Sequence, residues 1–229
     1  MSHEDLVVPF PLYHGTSSAF ADSIMRLGLG AESPVITLRA VDFLRQLYPL
    51  CEEHLAQDDE WIRNAYIVRK MVAQEFPPTG TFNWRHGGIY LSAGQISAVR
   101  YAVNNCYGSE VISIALLCYL KLRAVIADTL DRLRLSDAPI TRLLNLEPTP
   151  VLVTVRGVRV GTLRSEHGGD PSEVIAAVES DVGEGSDPEG NNFEAIEPIA
   201  PSYLSLHSIR VTGGHMYIPQ FELQPYAKS

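Results

Sequence analysis

A short segment near the start of the chain, Leu12-Tyr13-His14-Gly15-Thr16, combines an imidazole, a glycine and a hydroxyl group. The apolar residues before His14 predict a short strand that ends at the His-Gly pair. Glycine lets a flat ligand lie against the main chain because it has no Cβ. The imidazole can donate or accept a hydrogen bond near neutral pH. Taken alone, the pattern is more typical of a structural histidine than of a ligand-binding one.

Two tyrosines lie in a second segment that could bind a ring. The run Gly87-Gly88-Ile89-Tyr90-Leu91-Ser92 predicts a short strand entered through two glycines. Tyr101 follows eleven positions after Tyr90, on the helix predicted next. Either tyrosine could equally be a core aromatic residue with a satisfied hydroxyl group.

A carboxylate stands in a late strand predicted over Phe193 to Ile199. Glu194 and Glu197 are three positions apart and therefore face opposite sides, so at most one of them points into a given cleft. A carboxylate in an otherwise apolar strand is costly unless it is paired or useful. Partial exposure at a strand edge remains the alternative for Glu194.

Several common sites have no support in the sequence. The chain contains no Gly-x-x-x-x-Gly-Lys, Cys-x-x-Cys, His-Glu-x-x-His or Gly-x-Ser-x-Gly motif, and its three cysteines have no metal-like spacing. Serine acyl transfer and zinc hydrolysis therefore lack positive support, and we expect no metal site.

Composition is that of an ordinary globular protein, with 229 residues, 45% of them hydrophobic, and a formal net charge of −9. This charge argues mildly against a broad electrostatic grip on nucleic acid. The first residues contain no apolar signal-peptide core, and the longest apolar run, Val111 to Leu120, is too short for a membrane span. We expect a cytoplasmic protein that does not enter the membrane.

Predicted helices lie mostly early and predicted strands mostly late, which indicates an α+β fold in a single domain over residues 1–229. A helix capped by Thr37, with Ala40, Phe43, Leu44 and Leu47 on one face, should end at Pro49. Residues 158–163 should form a strand. The acidic, glycine-containing stretch 179–192 has no basic residue and predicts a mobile surface loop.

Taken in order, these segments resemble the His-Tyr-Glu class of ADP-ribosyltransferases, which contains diphtheria toxin, the poly-ADP-ribose polymerases and the DNA-targeting toxins of toxin–antitoxin pairs. Three segments of the chain match. They are Tyr13-His14-Gly15-Thr16; Gly88-Ile89-Tyr90 with Tyr101; and Phe193-Glu194-Ala195-Ile196, followed by Pro201-Ser202-Tyr203-Leu204. The matching motifs cover roughly thirty residues spread over the chain, each weak alone and more specific in this order.

The resemblance implies a fold of two small packed β-sheets with an early helical region, and an enzyme that uses NAD as co-substrate. It would cleave the nicotinamide–ribose bond and transfer one ADP-ribose to a macromolecular acceptor. Glu194 would be the catalytic residue, bonded to the ribose 2′-hydroxyl and stabilising the oxocarbenium-like charge. The implied NAD-binding residues are His14 for a ribose hydroxyl, Gly15 for the carboxamide, Thr16, and Tyr90 with Tyr101 around the nicotinamide ring.

The Arg-Ser-Glu class of the same fold has Glu-x-Glu or Gln-x-Glu at its catalytic strand, whereas this chain has Glu-x-x-Glu, with Glu197 as the fallback carboxylate. The alternatives are a catalytically silent module that binds NAD or ADP-ribose, and an NAD hydrolase or NAD-dependent RNA 2′-phosphotransferase on the same scaffold. For the last, Arg85-His86 is the candidate counterpart of further basic residues. The acceptor, whether protein, DNA or RNA, is not named by the sequence; residues 179–192 are expected to influence its choice, and a neutralising antitoxin is a further expected partner.

Overall fold

The computed structural model describes residues 5–75, 84–166, 169–183, 188–215 and 218–227. Within these ranges the strands are β1 (Leu12–Ser17), β2 (Ile89–Ser92), β3 (Pro150–Val155), β4 (Leu163–Ser165), β5 (Asn192–Ala195), β6 (Leu204–His215) and β7 (Ile218–Pro225). The α-helices are α1 (Ser18–Leu27), α2 (Pro34–Thr37), α3 (Ala40–His54), α4 (Asp59–Ala73), α5 (Gln95–Asn104), α6 (Glu110–Arg132) and α7 (Pro171–Gly183). The α+β prediction is confirmed.

The strands form one antiparallel sheet in the order β4-β5-β2-β1-β3-β6-β7. Two packed sheets were expected, so this part of the prediction is wrong. The sheet is nevertheless weakly paired between β1 and β2. In the described ranges these two strands share one pair of opposite residues, Tyr13 and Ser92. We call the line between these two strands the seam, because the ladders on either side of it are longer.

Residues group into two compact units, where the sequence indicated one domain. The sheet unit comprises residues 1–32, 88–108 and 148–229, and it contains the catalytic and NAD-binding candidates; Arg85 and His86 belong to the other unit. The helical unit comprises residues 33–87 and 109–147. It is made of two sequence segments that leave the sheet and return to it, which explains why the linear pattern gave no sign of a boundary.

In the helical unit, α3 packs against α4 and α6 through buried apolar side chains. Helix α6 is kinked at Ile126, whose backbone is not helical (φ −135°, ψ 40°). Cys51 of α3 and Cys118 of α6 are both buried, and a hydrogen bond between their thiols together with burial raises the pKa of Cys51. None of the helices in the described ranges has the length and apolar character needed to cross a membrane.

The sheet has two distinct faces. The first face carries the larger apolar cluster, with Leu12 and Val153 near its centre and Leu91 and Phe193 on neighbouring strands. The second face carries Tyr13 and Leu152 and is covered there by α5 through Ala98, Val99 and Ala102. Because side chains alternate along a strand, these two clusters fix the face of every neighbouring residue.

Six element predictions need correction. The strand predicted over 193–199 ends at Ala195, and Thr37 is the last residue of α2 rather than the cap of α3, whose N-cap is Arg39. The strand β1 does not end at His-Gly but continues to Ser17, and Pro49 lies inside α3 rather than at its end. The predicted strand over 158–163 is not formed: Val160–Thr162 make a short 3₁₀ turn, and β4 starts only at Leu163. Of the predicted loop 179–192, residues 179–183 belong to α7 and 192 to β5; residues 184–187 lie outside the described ranges.

Candidate functional site

The main-chain groups of Gly15 face the seam. Ser18 donates its N–H to the carbonyl of Thr149 (2.8 Å), which makes these two residues a hydrogen-bonded pair at the end of the β1–β3 ladder. Hydrogen-bonded and non-hydrogen-bonded pairs alternate along an antiparallel ladder. Gly15, opposite Leu152, is therefore in a non-hydrogen-bonded pair, and its N–H and C=O point away from β3 towards β2. The register would place Tyr90 opposite Gly15 there, but the β1–β2 ladder does not reach that far.

Gly15 is required by packing. A Cβ at this position would lie 2.1 Å from the carbonyl oxygen of Ala98 and 2.9 Å from the backbone nitrogen of Ala102. The absence of a Cβ thus lets α5 lie against β1. From the sequence, the glycine was explained by the approach of a ligand. The structure shows that the Cβ is missing to make room for α5, so a ligand would approach the N–H and C=O of Gly15.

His14 bridges the seam with its side chain. Its Nδ1 lies 2.8 Å from the carbonyl oxygen of Tyr90. A carbonyl oxygen only accepts, so Nδ1 carries the hydrogen. Burial lowers the pKa of His14, and the hydrogen bond to Tyr90 raises it by less. The imidazole is therefore neutral at pH 7, and its Nε2 is left as a hydrogen-bond acceptor.

Tyr90 and Glu194 form a cross-strand pair on the second face of the sheet. Ala93 donates its N–H to the carbonyl of Asn191 (2.9 Å), so Tyr90 and Glu194, at the same register, are a non-hydrogen-bonded pair. Cα atoms in such pairs are about 4.5 Å apart, which is the closer of the two spacings. The phenol ring and the carboxylate therefore leave the sheet side by side, and both side chains are half-buried.

Gly88 lies against both of these side chains. A Cβ at Gly88 would lie 3.0 Å from Oε1 of Glu194 and 3.1 Å from Cζ of Tyr90. Since the same point on the main chain is close to both groups, the carboxylate oxygen and the phenol ring occupy one small region. Any side chain at Gly88 would displace one of them.

Two of the predicted NAD-binding residues, Tyr101 and Thr16, lie outside the row of Tyr90 and Glu194. Tyr101 lies on α5 next to Ala102, one of the two residues that contact Gly15, and its side chain is 39% exposed. Thr16 is 3% exposed and lies on the first face, the face opposite to that of Glu194. A direct contact of the Thr16 hydroxyl with a ligand therefore has no geometric support.

Glu194 and Glu197 are now distinguishable. Strand β5 ends at Ala195, so Glu197 lies beyond it and is exposed. Only Glu194 of the two has a cross-strand neighbour on each side. Those neighbours are Tyr90 on β2 and Arg164 on β4.

Arg164 was not identified in the sequence. It is an exposed residue of the three-residue edge strand β4, and it lies in a row with Glu194 and Tyr90 on the second face. No motif surrounds it. The signal that would have found it is the pairing of β4 with β5, which joins segments about thirty residues apart.

The row Tyr90–Glu194–Arg164 and the seam at Gly15 and His14 lie side by side in the sheet unit. The second face offers a half-buried carboxylate and an aromatic ring beside the main-chain edge of Gly15. The Nε2 acceptor of His14 lies at the seam on the first face, because His14 is opposite Val153. Comparisons of the chain with models of protein families, with curated proteins and with solved structures found no match.

Proposed function

We propose that the protein is a mono-ADP-ribosyltransferase that uses NAD as co-substrate and Glu194 as its catalytic carboxylate. The observation that carries the proposal is the side-by-side placement of Tyr90 and Glu194 immediately next to the seam, where the main-chain edge of the buried Gly15 has no partner in the described β1–β2 ladder. An aromatic ring and an amide edge suit the binding of nicotinamide, and a carboxylate suits the stabilisation of positive charge on the ribose.

Binding of nicotinamide is assigned to the seam. Its carboxamide carries one carbonyl acceptor and an NH₂ donor, and these complement the N–H and C=O of Gly15. The pyridinium ring would then lie over Tyr90, whose face attracts a cation. Tyr101 is the candidate for the second side of the ring. The side chain of His14 leaves the first face of the sheet, so its Nε2 would accept a hydrogen bond from a ribose hydroxyl only where the ligand enters the seam itself.

Glu194 would act on the bond that breaks. As neutral nicotinamide leaves C1′, positive charge develops on the ribose, and a carboxylate bonded to the 2′-hydroxyl stabilises that charge. The acceptor nucleophile then forms a bond to C1′ and releases its proton. Removing a preorganised electrostatic group of this kind typically slows catalysis by roughly 100- to 1000-fold.

The test is nicotinamide release from NAD by the wild type, with DNA, RNA or total protein added as acceptor in separate reactions. Glu194→Gln keeps the shape of the side chain and removes its charge, so it should slow release by roughly 100-fold or more while leaving NAD affinity nearly unchanged. Glu197→Gln is the matched control, because it makes the same chemical change on an exposed residue beyond the strand, and it should keep wild-type activity.

Three other results would each contradict the proposal. Release that survives Glu194→Gln but is lost in Glu197→Gln would move the catalytic role to the other carboxylate. NAD binding without release under every condition would identify a silent binding module. Removal of an RNA 2′-phosphate would identify a phosphotransferase.

A further inference from the structure

Arg164 is directly opposite Glu194 on the neighbouring strand. Ile196 donates its N–H to the carbonyl of Thr162 (3.0 Å), so the alternation makes Glu194 and Arg164 a hydrogen-bonded pair. Cα atoms in such pairs are about 5.5 Å apart. The exposed guanidinium group can therefore reach the region above Glu194 from the side opposite to Tyr90.

This guanidinium has no ion-pair partner among the described residues. In the part of the chain that the structure describes, Arg164 forms no ion pair, and its distance from the Glu194 carboxylate exceeds that of a salt bridge. Arg100, on α5 of the same unit, differs in this respect, since its Nη1 lies 4.0 Å from Oε2 of Glu189. Arg164 thus remains able to bind an external anion.

Arg164 lies on the side of Glu194 from which an acceptor would approach. If nicotinamide lies between Tyr90 and the seam, as the proposed function requires, the nucleophile must approach C1′ from the side away from the leaving group. Adjacent strands are about 4.8 Å apart, so Arg164 on β4 lies about 10 Å from Tyr90, with Glu194 between them. A group held by Arg164 is therefore on the acceptor side.

We propose that Arg164 binds a backbone phosphate of a nucleic-acid acceptor and thereby places the acceptor nucleophile next to Glu194. This inference rests on the proposed function and names its substrate class. A guanidinium group binds phosphate through two parallel hydrogen bonds, which fixes orientation as well as position. One such contact also fits a chain with a net charge of −9, which cannot bind nucleic acid through a broad basic surface.

A peptide acceptor fits this edge less well. Peptides that dock at a sheet edge gain most of their affinity from main-chain hydrogen bonds along the edge strand. Strand β4 has only three residues, so few such bonds are available. A single arginine side chain suits a repeating phosphate backbone better, because every nucleotide presents the same group.

The experiment compares Arg164→Gln with Arg159→Gln, which removes the same charge from another exposed arginine of the sheet unit. Binding of fluorescent single-stranded DNA and RNA oligonucleotides is measured by anisotropy without NAD, as a function of salt. Arg164→Gln should weaken the affinity for the preferred strand about tenfold and lower the slope of log K against log salt by about 0.7, the value for one phosphate contact on a single strand. Arg159→Gln should change neither.

Kinetics provide the second readout. Arg164→Gln should raise the KM for the oligonucleotide about tenfold and leave the KM for NAD in the absence of acceptor unchanged. An unchanged affinity and salt slope would overturn the inference, and so would a rise confined to the KM for NAD, which would assign the arginine to the diphosphate of NAD. Transfer to protein alone would overturn it as well. The proposed function fails separately, when the wild type releases no nicotinamide, because oligonucleotide binding is measured without turnover.

Discussion

His14 performs two tasks with its two ring nitrogens, and they can be separated by substitution. Nδ1 donates to the carbonyl of Tyr90 across the seam, whereas Nε2 is left to accept a hydrogen bond from a ligand. The amide NH₂ of an asparagine at this position lies where Nδ1 lies, but asparagine has no group in place of Nε2.

We expect His14→Asn to keep the fold and to weaken NAD binding roughly tenfold, the typical worth of one lost hydrogen bond. Isothermal titration calorimetry with NAD measures the affinity, and a thermal unfolding curve of the same sample measures the stability. His14→Gln is the matched variant, since its amide reaches the position of Nε2 and leaves the Tyr90 carbonyl without the imidazole; it should lose more stability than His14→Asn. The same loss of NAD affinity and of stability in both variants would contradict the division of tasks.

At the residue scale, the sequence predicted His14, Tyr90 and Glu194 because each stands out from an apolar strand. It could not separate Glu194 from Glu197, since that choice depends on where β5 ends. It could not find Arg164 either, because an arginine in a polar segment carries no signal until its strand partner is known. Thr16 was predicted from its place in a motif, yet the alternation of side chains buries it on the opposite face.

At the element scale, the contact between α5 and β1 depends on one missing methyl group. The Cβ added by Gly15→Ala would meet backbone atoms of Ala98 and Ala102, which cannot move without moving the helix. We expect a loss of about 3 kcal/mol in the free energy of unfolding, at the upper end of the usual cost of overpacking. Urea unfolding followed by circular dichroism measures it.

Gly169→Ala is the control for this prediction. Among the described residues, a Cβ there would meet only the hydroxyl oxygen of Ser165, at 3.2 Å, in an exposed turn. It should change stability by less than about 0.5 kcal/mol, as surface substitutions do. Equal losses in the two variants would mean that Gly15 is not a packing contact of α5.

Helices and strands were predictable from the sequence where capping residues and the spacing of apolar residues indicate the same element. Ser17 caps α1 by accepting from the N–H of Ala19, and Gly28 ends that helix with a φ of 101°, a conformation that favours glycine. Pro49 misled the prediction because tertiary packing of the α3 face, with Leu47 and Cys51 fully buried, outweighs the local cost of a proline. Strand β4 was missed because three residues are too few to establish an alternation.

At the scale of the whole molecule, two buried histidines make stability depend on pH. Burial lowers the pKa of His86 to about 4 and also lowers the pKa of His14, whereas an unfolded histidine has a pKa near 6.5. Well above pH 6.5 both states are neutral and these groups contribute no slope. Below it the unfolded chain binds protons that the folded chain does not, so stability falls as the pH falls.

For His86 alone the expected loss between pH 6.5 and pH 5 is about 2 kcal/mol. Urea midpoints measured across this range check the slope, and His86→Asn should flatten it. The exposed His215 offers the control His215→Asn, which should keep the wild-type slope. Burial also raises the pKa of Glu110, which opposes the fall at pH values above its ordinary 4.5, so the difference between the wild-type and His86→Asn slopes is what is assigned to His86. A slope that is the same in His86→Asn and in the wild type would show that His86 is not the group responsible.

The α+β class followed from the sequence because helical and alternating periods occupy different parts of the chain. The helical unit could not be predicted from the sequence, because its two segments, residues 33–87 and 109–147, come together only in the folded structure. The single sheet was missed for the same reason, because its order brings β5 next to β2 and β3 next to β1 across long intervals of sequence.

The seam between β1 and β2 has a mechanical consequence. Each half of the sheet is internally well bonded, but the two halves are joined in the described ranges by one strand pair and by the His14 imidazole. A planar amide that occupied the edge of Gly15 would supply the missing rung and lock the halves together. The amide hydrogen of Gly15 should therefore exchange with deuterium quickly in the free protein and slowly with nicotinamide present, so that the ligand acts as a removable piece of β-strand.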